Sequence, residues 1–210
     1  AFLGSWAGRL IIERHPSLPL VELSEPRLSV MQQVEKRFLD LLIAVPVFVL
    51  LIPVYFVIAL AVAVTSPGPI LFIQNRVGVD GQLFRFLKFR TMRDGSHLSR
   101  LDVLGRPDED MVERYRNDPR ITPIGRFMRK TRLDEFPQFV NVLFGQMSLV
   151  GPRPERQFYI DQIVAIEPQY MHLTRVRPGI TSWGQVKYGY AENVEQMLQR
   201  MKFDLIYMKN

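Results

Sequence analysis

The chain has no cysteine among its 210 residues, which removes disulfides, thiolate nucleophiles and cysteine-held metals. Histidine is scarce too: His15, His97 and His172 are too scattered for a zinc signature. No signal peptide is legible, because the main apolar run is internal and lacks a small-residue cleavage site. The chain begins at Ala1 rather than Met, which leads one to expect a processed or trimmed product. RNP, zinc-finger and coiled-coil basic signatures are all missing, so nucleic acid is not an expected partner despite a net charge of +6. The most telling absence is local. No charged residue occurs between Asp40 and Arg76.

That gap holds the run from Leu41 to Val64, LLIAVPVFVLLIPVYFVIALAVAV, closed by Thr65-Ser66-Pro67-Gly68-Pro69. A helix of about 24 residues at ~1.5 Å each is ~36 Å long, beyond the usual core helix and enough for a bilayer. Pro53, near the middle, removes a helical hydrogen bond and clashes with the carbonyl four residues back, so a kink or break is expected there. Pro46 adds a smaller bend. Lys36 and Arg37 precede the run, and Arg76, Arg85, Lys88 and Arg90 follow it. Positive charge at both ends gives no orientation across a membrane. The expectation is a re-entrant helical hairpin broken at Pro53, entering and leaving by one face. A spanning helix is the alternative.

The remaining charge is uneven. Residues 1–69 carry 5 basic and 5 acidic side chains, residues 133–210 carry 8 of each, and residues 70–132 carry 14 and 8. The middle segment therefore holds the whole +6, placed directly after the apolar run. Such a patch suits an anionic lipid surface or a phosphorylated substrate.

Residues 1–34 read as an irregular linker or remnant of an upstream region, punctuated by Pro16, Pro19 and Pro26. The membrane element is placed at 35–69, entered through a helix capped by Ser29, and a catalytic domain at 70–210. Ile70 to Met92 reads as a β-hairpin turning at Val79-Asp80-Gly81-Gln82. Its second strand alternates Arg85, Lys88 and Arg90 with Phe84, Phe86 and Phe89, giving a basic edge beside an aromatic one. An acid-rich excursion is expected over Asp94–Arg116, with a helix around Glu109–Arg116, then a turn at Asn117-Asp118-Pro119. Thr122 and Pro123 open a helix to about Arg132, with Arg126, Arg129 and Arg132 drifting around one face. The next helix begins near Pro137, its stripe made of Phe136, Phe139, Val140, Leu143 and Met147. Amphipathic helices follow at Phe158–Glu167 and Val194–Tyr207, the second opened by an Asn193/Gln196 capping box. The fold class is thus mainly α with a short β-hairpin (α+β), monotopic, with interfacial amphipathic helices.

Asp134-Glu135 stands between the arginine helix and the start of the next one. A carboxylate there can attack phosphorus or ligate magnesium beside substrate phosphates, and the plain alternative is a helix cap with an acidic neighbour. Arg129 and Arg132 would attract phosphate oxygens, as would Lys88 and Arg90 on the hairpin. Gly151-Pro152-Arg153-Pro154-Glu155 holds Arg153 in a stiff extended segment between Pro152 and Pro154, ready to present a planar guanidinium. Arg177-Pro178-Gly179 repeats the device, followed by Trp183, which either stacks on a base or fills a core.

The runs KRFLD…P…SPGP, FLKFRTM, DPRITPIGRFMRKTRLDEFPQFVNVLFGQMSLVGPRPE and RPGITSWGQV closely resemble the bacterial sugar transferases, the monotopic polyprenyl-phosphate phosphoglycosyl transferases. The resemblance covers about residues 35–210. It implies a re-entrant helix broken at Pro53 and a catalytic dyad at Asp134 and Glu135, with both in reach of the metal. It implies a phosphate contact at Arg129 and a nucleotide-sugar loop at Pro152, Arg153 and Pro154. It further implies Mg2+, a UDP-sugar donor, a polyprenyl (undecaprenyl) phosphate acceptor and a site on the cytoplasmic face of the bacterial inner membrane. The activity so implied is transfer of a sugar 1-phosphate with release of UMP through an aspartyl phosphosugar, starting a polysaccharide or glycoconjugate. Three places depart from the family: Ile52 stands where a Ser often precedes the breaking proline, Ser182-Trp183-Gly184-Gln185 replaces Gly-Trp-Ala-Gln, and the chain stops at Asn210 where members usually continue. A phosphatidyl-type transferase is disfavoured because Leu41–Val64 holds no carboxylate. A non-enzymatic, membrane-tethered scaffold holding anionic lipid is the alternative reading, and a homodimer is left open.

Overall fold

The structure, a computed structural model, describes residues 11–15, 18–22, 29–93, 118, 120–191 and 193–209. In chain order these form β1 (Ile11–His15), β2 (Leu18–Glu22), α1 (Val30–Thr65), β3 (Leu71–Val77), β4 (Leu83–Phe89), α2 (Pro123–Thr131), α3 (Gln138–Leu143), β5 (Ser148–Val150), α4 (Gln157–Ile166), β6 (Gly179–Thr181), α5 (Trp183–Lys187) and α6 (Val194–Lys209). Short 3-10 turns lie at Val79–Gly81, Leu133–Glu135 and Pro168–Arg175. The molecule is mainly helical with short two-stranded pieces, in line with the α+β expectation. One difference falls at the start: β1 and β2 pair antiparallel within the stretch read as irregular. The expected excursion and helix over 94–116 lie outside the described residues, as do Asn117 and Pro119.

Ser29 starts α1 by a reciprocal cap, its hydroxyl accepting from the Gln32 N–H and the Gln32 side chain accepting from the Ser29 N–H. The helical run then passes through both Pro46 and Pro53 without interruption. Each proline forfeits one N–H donor, and packing against the body on either side of Pro53 keeps the two halves in one run. Before the prolines, Ala44 is sealed among Phe84, Phe86, Val142 and Met147. After them, Ile58 and Val62 pack on Phe89 and Met128. The opposite face is bare: Leu50 is 75% exposed, Phe56 72% and Val64 79%.

Polar contacts bind both ends of α1 to the same body. Lys36 Nζ donates to the Val150 carbonyl at 3.0 Å, and Arg37 donates to the Val142 and Leu143 carbonyls at 2.6 and 2.9 Å, capping the end of α3. Buried Asp40 accepts from Ser148 Oγ at 2.9 Å and the Leu149 N–H at 3.0 Å. At the far end Arg90 donates to the Ser66 and Pro67 carbonyls at 2.5 and 2.7 Å.

β3 and β4 pair from Leu71↔Phe89 to Val77↔Leu83, and the turn takes Asp80 and Gly81 into positive φ (51° and 78°) as their types allow. The two basic residues of β4, Arg85 and Lys88, and Arg90 just after it do not form one edge. A strand alternates faces, so Lys88 and Arg90 share parity with Phe84 and Phe86, whereas Arg85 points the other way and is exposed. The inward face of α3 also differs from the aromatic stripe expected there. Gln138, Asn141 and Val142 are the buried residues, and Phe139, Val140 and Leu143 are half-buried. For Asn141 the reason is hydrogen bonding: it accepts from the Leu87 N–H at 3.1 Å and donates to the Arg85 carbonyl at 2.7 Å, serving β4 where no further strand pairs with it among the described residues, whereas the Gln138 amide is buried without a partner among them. A third cluster joins α4, the Pro168–Arg175 turn and α6 through Ile160, Ile163, Tyr170, Leu173, Met197 and Met201.

Candidate active site

α2 begins as its sequence dictates, with Thr122 Oγ1 accepting from the Gly125 N–H at 3.0 Å and Pro123 in the first position. A Cβ at Gly125 would overlap the Thr91 carbonyl, so the glycine lets α2 settle directly on the end of the hairpin. That contact brings Arg129 Nε to Thr91 Oγ1 at 2.9 Å. One turn on, Arg132 ends the helix in the left-handed region (φ 63°, ψ 13°), a conformation that costs a non-glycine residue about 1–2 kcal/mol. Arg132 therefore leaves the face it was expected to share with Arg129. Its guanidinium stacks over the Tyr190 ring, 4.0 Å from the centroid.

The reversal at Arg132 turns the chain into the Leu133–Glu135 turn and buries Asp134. Burial, then the neighbouring Glu135, push the Asp134 carboxyl above the usual carboxylate range, while Lys88 and Arg129 pull it back. Asp134 Oδ1 is buried with no hydrogen-bond partner among the described residues. Lys88 faces this carboxylate from β4. Burial, only partly offset by Asp134, lowers its ammonium to about 8, and its Nζ lies 5.3 Å from the centroid of the Phe72 ring.

Glu135 is held from the other side. Arg153 Nη2 donates to Glu135 Oε1 at 3.0 Å, both side chains being about 15% exposed. Pro152 and Pro154 are buried on either side of Arg153, and Glu155 anchors the loop through Arg200 (2.6 Å) and Arg76 (3.3 Å). Burial opposes the Arg153 charge, but Glu135 and Glu155 outweigh it and hold the guanidinium above its ordinary value. The same guanidinium lies 5.4 Å from the Tyr190 ring centroid. Burial and Glu135 raise the Tyr190 phenol.

The structure thus gathers Asp134, Glu135, Lys88, Arg129, Arg132 and Arg153, with Pro152 and Pro154 as the frame. It does not gather the rest. Arg90 is spent on the carbonyls that close α1. Arg177 abuts Gly151 by its backbone, and its side chain has no ion-pair partner among the described residues. Trp183 opens α5, its ring 4.8 Å from Lys187 Nζ rather than against the carboxylates. Pro53 lies within α1. Tyr190 is the member that sequence reasoning missed. Its signal was Tyr188-Gly189-Tyr190, two aromatics around a glycine in an otherwise polar connection.

Residues 31–210 match the family model described as bacterial sugar transferase. The chain belongs to the bacterial sugar transferase family. It is 38% identical over 200 residues to the UDP-glucose:undecaprenyl-phosphate glucose-1-phosphate transferase of Escherichia coli K12, covering 94% of this chain and 41% of that protein. The UDP-N-acetylgalactosamine-undecaprenyl-phosphate N-acetylgalactosaminephosphotransferase of Aeromonas hydrophila is 41% identical over 175 residues, 83% of this chain and 39% of that protein. A Caulobacter vibrioides UDP-glucose:undecaprenyl-phosphate glucose-1-phosphate transferase is 39% identical over 189 residues, 88% of this chain and 65% of that protein. This chain therefore spans about two fifths of the first two relatives. The cationic cluster and paired carboxylates gathered here suit a phosphorylated substrate.

Proposed function

We propose that this chain is the catalytic part of an undecaprenyl-phosphate sugar-1-phosphate transferase, taking a sugar 1-phosphate from a UDP-sugar and releasing UMP. The observation that carries this reading is Asp134: a buried carboxylate with an unpartnered oxygen, ringed by Lys88, Arg129 and, through Glu135, Arg153. Leaving such an oxygen unpaired costs about 1–3 kcal/mol, a cost that phosphoryl chemistry repays. A lipid-binding scaffold needs surface cations, not an inward-turned acid, so the enzyme reading is favoured.

In the proposed reaction an Asp134 oxygen attacks the β-phosphorus of the donor. The bond to the oxygen bridging the two phosphates breaks, and UMP leaves with that oxygen and its electron pair. The enzyme then carries the sugar phosphate as a mixed anhydride on Asp134. An oxygen of the acceptor phosphate attacks the same phosphorus, freeing the Asp134 carboxylate and giving the polyprenyl diphosphate sugar. Arg129, Lys88 and Arg153 hold the phosphate oxygens, and Arg153 moves from Glu135 to the donor as the donor binds. The hard oxygens of Asp134 and Glu135, beside cations that draw in a diphosphate, fit Mg2+, which favours one or two carboxylates plus substrate phosphates. When bound, Mg2+ neutralises charge on the diphosphate.

α1 is proposed to be re-entrant, with the site at the cytoplasmic face of the inner membrane. Its apolar outer face, only 11% of the most apolar window being buried, needs lipid. Both of its ends are hydrogen-bonded to one body, which supports a helix whose two ends face the same side of the bilayer, although the expected break at Pro53 is not seen and the run is continuous. The deciding experiment supplies purified protein with Mg2+, undecaprenyl phosphate and a panel of UDP-sugars, and measures UMP. Sustained UMP release that requires both the acceptor and one donor is expected, with no more than one UMP per enzyme when the acceptor is withheld. No release with any donor would overturn the reading.

A further inference from the structure

Two observations converge on Tyr190, a residue with no role in the reaction as proposed above. Arg132 adopts a strained left-handed backbone, and its guanidinium carbon sits over this ring, 4.0 Å from the centroid. Arg153, from a different loop, reaches the same ring at 5.4 Å while paired to Glu135 at 3.0 Å. Strain in a non-glycine residue persists where surrounding contacts over-determine it, and it concentrates at functional positions. Two like charges would otherwise repel, so a shared aromatic ring is an inexpensive way to keep both close to the carboxylates.

We infer that Tyr190 is a positioning residue for the nucleotide diphosphate. Its ring sets the spacing of Arg132 and Arg153, so that both guanidiniums meet the incoming phosphates without first being ordered. Fixing two arginines in advance removes part of the side-chain entropy cost of binding. The contribution belongs to the ring face and not to the phenol, since the cations sit over the ring. Gly189, at φ +98° with nothing within 4 Å of where a Cβ would be, lets the chain swing Tyr190 towards the arginines. Three elements thus meet in one device: the end of α2, the Pro152–Pro154 loop and the connection between α5 and α6.

This inference rests on the reading of Arg153 as a diphosphate ligand, and its test separates the two. UDP binding with Mg2+ is measured by calorimetry on the detergent-solubilised chain, alongside KM and kcat for the donor, for Tyr190→Leu, Tyr190→Phe and Arg153→Ala. Tyr190→Leu is expected to weaken UDP binding and raise the donor KM about tenfold, with kcat falling less. Tyr190→Phe keeps the ring and should recover binding to within about threefold of the parent. Thermal melts within a few degrees of the parent show that the variants are folded, and a Tyr190→Gln variant, which also lacks a ring, replaces Leu if it is not. Unchanged UDP affinity in Tyr190→Leu, with Arg153→Ala impaired, overturns the role of Tyr190 alone. Tyr190→Phe as weak as Tyr190→Leu overturns it too, by assigning the effect to the hydroxyl. Unchanged affinity in Arg153→Ala as well overturns the reading of the site beneath it.

Discussion

Arg153 and Glu135 face each other at 3.0 Å with their side chains about equally shielded from water. A proposed phosphate ligand and a proposed metal ligand therefore neutralise one another before either substrate or ion arrives. Binding Mg2+ and a diphosphate together would exchange one pair of opposite charges for another, which avoids leaving a half-buried charge alone.

Arg153→Ala should cut turnover well beyond tenfold, and it also strands Glu135, at a cost of about 1–3 kcal/mol to the fold. Arg153→Lys restores the positive charge but not the planar fork, so the fold should recover more than the turnover. Steady-state kinetics and thermal melts on the two variants check this. Turnover in Arg153→Ala equal to the parent's would remove the loop from the site.

Asp134→Asn should abolish turnover and the sugar-phosphate adduct seen by peptide mass spectrometry when donor and Mg2+ are given without acceptor. Stability should move the other way. Because the folded state raises the Asp134 pKa above 3.8, it binds its proton more tightly than the unfolded chain does. The contribution of this group to stability is therefore lost as pH rises from the ordinary carboxylate range through the folded pKa. At neutral pH the charged form is a liability that Asn removes. The melting temperature should stay level or rise, by roughly 2–4 °C for each kcal/mol gained. A clear fall, or an adduct on Glu135, contradicts the assignment.

The pH profile of turnover should be bell-shaped. Its rising limb follows ionisation of Asp134, which occurs above the usual carboxylate range. Its falling limb follows loss of the Lys88 charge near pH 8, lowered from 10.5 by burial. Lys88→Arg keeps its charge at every accessible pH, so the falling limb should move upward or flatten even if the maximum is lower. A falling limb left near pH 8 in that variant would exclude Lys88 as its origin.

Topology can be read with introduced cysteines, since the chain has none of its own. Arg76 is a poor labelling position, being tied to Glu155 and the Pro154 carbonyl. Exposed Glu35 and Pro69 flank the apolar stretch better. Both positions should label from the cytoplasmic side alone. Periplasmic labelling of one of them establishes a spanning helix and defeats the re-entrant proposal.

Elements whose causes are local were legible in the sequence: the Ser29 and Thr122 caps, the Asp80-Gly81 turn, the apolar run and the placing of Asp134-Glu135 before a helix. Each depends on side chains within a few residues, so their spacing carries the information. The fate of individual charges was not legible, because it depends on which carbonyl or carboxylate the fold brings near. Lys88 and Arg90, two residues apart and alike in sequence, end beside Asp134 and on the carbonyls closing α1. Arg132 looked like a third turn of an arginine face until the left-handed backbone turned it onto Tyr190. Tyr190 lies 55 residues or more from every carboxylate and arginine of the site except Arg153, so only tertiary packing could bring it there. The continuity of α1 through Pro53 was also settled by packing, with Ala44 held on one side of the proline and Ile58 and Val62 on the other.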